Sequence, residues 1–144
     1  MLETTWTQIG LAIIALASAF VFLKGDEPER IGAGAYVIAV FATSLLNDQG
    51  SLYGVQLGPL AVDLALLAAF VALAWKSRRT WPVWAAAFQG LSVCSLLLPL
   101  VDPRPPLAAV YLTVNVTTFA VLASIVVGAA VAWRDRRRLH TGDA

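Results

Sequence analysis

The chain has 144 residues, 59% of them hydrophobic and 13% charged, with a mean hydropathy of +0.76. Soluble domains carry roughly a quarter charged residues, so this composition excludes a water-soluble globular domain and indicates an integral membrane protein, expected to form one domain. The net charge of +1 excludes little, because the placement of charges matters more than their sum, but the single cysteine, Cys94, rules out a disulfide framework and a CxxC site.

A transmembrane helix needs about 20 mostly apolar residues, and five segments approach that length. The first covers residues 7–23 and ends at KGDEPER. Ala15, Ala17 and Ala19 imitate a signal-peptide cleavage site. Residues 1–6, however, hold no Lys or Arg, and cleavage would turn the basic loops outward, so the segment is read as a span. The second span, 31–46, is short and ends at NDQGSLYG. The third covers 57–75 and the fourth 81–101, joined by the basic turn WKSRRTWPVW, in which Trp75, Trp81 and Trp84 are expected to anchor the interface. The fifth, 107–133, is long enough to tilt and is followed by a basic tail, 134–144.

Pro28, Pro59, Pro82 and Pro106 stand at or beside expected helix starts, where a missing N–H costs nothing. Asp26 and Thr80 precede two of these prolines as candidate caps. The fold class is therefore all-α, a polytopic helix bundle, and not a barrel of alternating strands. Lys24, Arg30, Lys76, Arg78, Arg79, Arg134, Arg136, Arg137 and Arg138 fall on one side of five spans and Arg104 alone on the other. Since cytoplasmic loops retain Lys and Arg, the N-terminus is expected outside and the C-terminus in the cytoplasm. Pro28 and Asp48 around the second span match Pro82 and Asp102 around the fourth, and AWKSRR matches AWRDRR. Either a duplication or the shared demands of a cytoplasmic helix end accounts for these matches.

Most familiar chemistries lack their residues. Haem in a bundle requires axial His or Met, but the only His is His140 in the tail and the only Met is Met1. Both lysines lie at helix ends, which leaves no site for a retinal Schiff base, and neither a zinc-protease pair nor a phosphate-binding glycine loop is present. No enzyme activity, no cofactor and no nucleic-acid partner are expected.

Polar residues at membrane depth are then the candidates. Asp63 stands first, roughly 7 Å into the third span at 1.5 Å per residue. Tyr111 and Asn115 reach a similar layer on the fifth span, joined by Thr118, Thr43, Ser44 and Ser95, with Asn47, Asp48, Gln49 and Tyr53 above them. This cluster reads as an outward-opening polar site, or else Asp63 is a first-turn carboxylate favoured by the helix N-terminus and paired with Arg104. Gln89 is deeper, where Ser124 is placed to meet it as interhelical glue. Ala86 with Gly90, and Ser124 with Gly128 and Ala132, provide small-residue faces for helix packing. The four arginines of the tail are expected at least to hold the C-terminus inside, and such a run can also attract anionic lipid or dock a cytoplasmic partner.

From about Gly58 to Asp102, an Asp just inside one span followed by a basic loop running into TWPVWAAAFQ resembles small uncharacterised multi-pass membrane proteins of alphaproteobacteria. The resemblance covers about a third of the chain and implies a bacterial inner membrane, with no activity attached. The function expected is a noncatalytic accessory or assembly subunit of a larger inner-membrane complex, with the lipid bilayer and other membrane subunits as partners. The alternatives are a small homo-oligomeric transporter or channel using Asp63, or a pigment- or lipid-binding membrane protein.

Overall fold

A computed structural model describes residues 2–46, 51–52, 55–102, 104 and 106–142. Five helices follow in order: α1 Leu2–Lys24, α2 Glu27–Leu46, α3 Leu57–Lys76, α4 Trp81–Val101 and α5 Leu107–Gly142. All five are long and apolar enough to cross a membrane. A two-residue antiparallel pairing, Ser51 opposite Gln56 and Leu52 opposite Val55, links α2 to α3.

Three helices extend well past the apolar runs that mark them, and α1 does so by beginning at Leu2. α2 begins at Glu27, inside the polar connection, because Asp26 and Glu29 form half of a capping box: the Asp26 backbone N–H donates to Glu29 Oε2 at 3.0 Å. α5 carries the basic tail as continuous helix to Gly142. Arginine and leucine are good helix formers, and no glycine or proline interrupts the helix between Gly128 and Gly142. Thr80 precedes α4 without a side-chain capping bond, so Pro82, with no N–H to satisfy, supports that start alone.

Consecutive helices pack side by side, α1 also meets α5, and α2 reaches across to α5. The result is a ring in chain order with α2 and α5 drawn together through its middle. The core holds many small residues, among them Ala33, Ala39, Ala85, Ala129 and Ala132, beside Tyr36, Phe70, Trp81 and Ile125. Bulky Leu16, Leu23, Ile38, Phe41, Leu45 and Leu112 face outward. Such an arrangement suits lipid, where helices associate by close backbone approach and large apolar side chains lose nothing by facing out.

Trp81 shows how close that approach is. It is 4% exposed and its ring stands edge-on to Phe70, so it is a core residue and not the interfacial anchor expected of it. Trp75, by contrast, is 93% exposed. A Cβ at Gly32 on α2 would lie 2.5 Å from Trp81 Cη2, and one at Gly128 on α5 would lie 2.5 Å from Trp81 Cγ and Cδ1. Gly128→Ala is therefore expected to lose about 1–2 kcal/mol net, overpacking outweighing the gain in helix propensity. A Cβ at Gly90 meets nothing within 4 Å, and Gly90→Ala is expected to gain up to about 1 kcal/mol. Denaturant titration of the two variants in detergent separates these signs.

Candidate functional site

Asp63 sits on α3 against α4. Its Oδ2 accepts the Ser92 hydroxyl at 2.9 Å, and the Gln89 amide donates to its backbone carbonyl at 3.4 Å. Gln89 and Ser92 are both buried and share one face of α4, three residues apart. Gln89 thus joins α4 to α3, while the Ser124 hydroxyl bonds to Ala120 of its own helix.

Tyr111 and Asn115 are on α5, which packs on α1, α2 and α4; α3 and α5 are not among the packed helix pairs. Tyr111 is 47% exposed and Asn115 is exposed. Along α5, Asn115 is about 27 Å from Trp133. A hydrocarbon core of about 30 Å with one boundary at Trp133 would end just beyond Asn115. Arg104 pairs with Asp102 in its own loop, at 3.9 Å. Asn47, Asp48, Gln49 and Tyr53 lie outside the described residues.

The hydroxyls expected around Asp63 are turned into their own helices. Ser44 donates to Val40, Ser95 to Leu91 and Thr118 to Val114, all to backbone oxygens. Returning a hydroxyl to the carbonyl four residues back satisfies it without a partner helix, which is the economical solution in hydrocarbon. Tyr36, like Ser92, bridges helices, its hydroxyl donating to the Thr118 carbonyl at 3.3 Å.

A second polar assembly lies at the opposite end of the bundle, where the nine basic residues gather. Glu29 is 0% exposed. Its Oε1 accepts the Trp81 indole N–H at 2.9 Å and stands 3.5 Å from Arg79 Nε. Arg79 also pairs with Asp26 at 2.6 Å, and Asp26 pairs with Arg136 at 3.3 Å. Arg136 in turn donates to the Lys24 carbonyl at the end of α1. Lys24 Nζ and Arg137 Cζ lie 5.4 and 4.2 Å from the Trp133 ring centroid, a pair of cation–π contacts. This clasp ties together the α1–α2 connection, α2, the α3–α4 turn, α4 and α5.

Hydropathy does not single out Glu29, because it lies in a polar stretch of the chain. Its one local signal is the Asp26-x-x-Glu29 spacing of a capping box. Its pairing with Trp81 is tertiary.

Beside the clasp, a groove of about 690 Å³ opens between α4 and α5, with Trp84, Phe88, Ala120, Ala123 and Val131 along its walls and Arg78, Arg79, Thr80 and Asp135 at one end. Among the described residues no three His, Cys, Asp or Glu side chains converge as a metal site requires. Comparison with protein families, with characterised proteins and with solved structures finds no match to this chain.

Proposed function

We propose that this protein is a noncatalytic accessory or assembly subunit of a larger membrane complex, set in a bacterial inner membrane with its basic end in the cytoplasm and its N-terminus outside. One observation carries the reading: of the five buried polar side chains among the described residues, Glu29, Gln89, Ser92 and Thr117 are hydrogen-bonded within the bundle and Ser18 alone has no partner. Asp63, Gln89 and Ser92 join α3 to α4, Tyr36 joins α2 to α5, and Glu29 joins α2 to α4. Groups committed to helix–helix bonds are poorly placed to exchange partners with a solute. The nine-to-one distribution of basic residues supports the orientation, and the resemblance to alphaproteobacterial membrane proteins supports the choice of membrane.

Purification of the tagged chain from its native membrane in mild detergent tests the proposal. The expected result is recovery with other membrane polypeptides at fixed stoichiometry. Isolation of a lone homo-oligomer that moves a solute in proteoliposomes would overturn it.

The transporter reading keeps one specific support, the half-buried Asp63 carboxylate inside the span. As a structural residue, Asp63 is replaceable by Asn, whose Oδ1 still accepts the Ser92 hydroxyl. Asp63→Asn is expected to change stability by no more than about 1 kcal/mol and to leave copurification intact. Flux across proteoliposomes that is present in wild type and abolished by Asp63→Asn would favour transport instead.

A further inference from the structure

The groove between α4 and α5 has the length, the apolar walls and the charge placement of a lipid site. On α5 it runs from Ala120 to Val131, about 16 Å at 1.5 Å per residue. That is the depth of one leaflet, half of a hydrocarbon core of about 30 Å. Its floor is kept open by small residues of α5, Ala120, Ala123 and Gly128, while Trp84 and Phe88 of α4 form the opposite wall. The polar end coincides with the clasp, at the membrane surface that carries the basic residues.

Two charges at that end are uncommitted. Arg79 is occupied by Asp26 and Glu29, but neither Arg78 nor Asp135 forms a hydrogen bond or ion pair among the described residues, and both are exposed. They line the same groove end and are of opposite sign, yet no ion pair within 4.0 Å joins them. Thr80 lines the groove with them and makes no side-chain capping bond, leaving its hydroxyl available. A guanidinium fork matches a phosphate, and a carboxylate accepts from a primary ammonium, which offers three N–H donors.

We propose that this groove binds one phospholipid of the basic-side leaflet, an acyl chain lying along α4 and α5, its phosphate on Arg78 and Thr80 and its primary ammonium on Asp135. A phosphoethanolamine headgroup satisfies both charges. A phosphoglycerol headgroup satisfies Arg78 but leaves Asp135 facing a net negative lipid, and a choline headgroup has no N–H to donate. The site is independent of the subunit proposal, since it concerns the lipid held by this chain whether or not other polypeptides bind.

Native mass spectrometry of the full-length protein, titrated with phosphatidylethanolamine, phosphatidylglycerol and phosphatidylcholine, tests it. One phosphatidylethanolamine is expected to be retained, with a preference of about tenfold over the other two. Asp135→Asn is expected to bring the preference over phosphatidylglycerol close to one while phospholipid is still retained. Arg78→Gln is expected to weaken all three lipids, and Ala123→Trp to expel the lipid by filling the groove. Arg78 and Asp135 are exposed, so both variants are expected to melt as wild type does, which separates lost binding from lost folding. Equal retention of the three lipids by wild type, or an unchanged preference in Asp135→Asn, would overturn the proposal. Release of a polypeptide instead of a lipid by Ala123→Trp would also overturn it, making the groove a helix-docking surface.

Discussion

Trp81→Ala is expected to lower the stability of the protein in detergent by about 3–5 kcal/mol, the range for emptying a buried aromatic site. The loss has two sources. The indole fills the space between the Gly32 and Gly128 backbones and meets Phe70 edge-on, so its removal leaves a cavity that α2 and α5 cannot close without shifting. It also deprives the fully buried Glu29 of its indole donor, and a buried carboxylate that loses a donor is penalised heavily. Trp81→Phe retains much of the ring and removes only the N–H, and is expected to cost about 1.5–3 kcal/mol, as for a hydrogen bond to a charged group. Circular dichroism during SDS titration measures both variants against wild type.

The adjacent arginines of the α3–α4 turn are expected to behave oppositely. Arg79→Ala removes the cation paired with the buried Glu29 and one of the two paired with Asp26, which keeps Arg136, and breaking a buried pair from one side typically costs about 3–5 kcal/mol. The Arg79 side chain is 33% exposed, so water replaces part of its interaction and the loss is expected near the lower end, about 3 kcal/mol. Arg78 has no such partner, and Arg78→Ala is expected to change stability by less than about 0.5 kcal/mol. Equal effects at the two positions would contradict the clasp, because their sequence environments are nearly identical and only the tertiary partners differ.

The spans were legible from the chain because hydropathy reports how long a segment can stay in hydrocarbon. The third and fourth segments, read as 57–75 and 81–101, correspond to Leu57–Lys76 and Trp81–Val101. Hydropathy reports where apolarity ends, however, and not where hydrogen bonding ends. α2 therefore starts earlier than its apolar run, at a capping box, and α5 outlasts its run through a polar but helix-favouring tail.

Side-chain partnerships were less legible. Trp81 beside a basic loop has the same local pattern as an interfacial tryptophan, and what buries it are two glycines on other helices. Asp63 was recognisable as a polar residue at depth, but its Ser92 and Gln89 partners depend on the rotation of α4 against α3. Nothing local sets Tyr36 apart from its apolar neighbours, although its hydroxyl reaches the Thr118 carbonyl on α5. Each of these depends on how helices rotate against one another, which no single-helix periodicity encodes.

Closure of the bundle at its basic end by the Glu29–Trp81 bond is tested most directly by a double-mutant cycle. Wild type, Glu29→Ala, Trp81→Phe and the double variant are unfolded reversibly under the same conditions. A coupling energy of about 1.5–3 kcal/mol is predicted for a buried hydrogen bond to a charged acceptor. Additive losses, agreeing within about 0.5 kcal/mol, would show that the two side chains stabilise the bundle independently and would contradict the clasp.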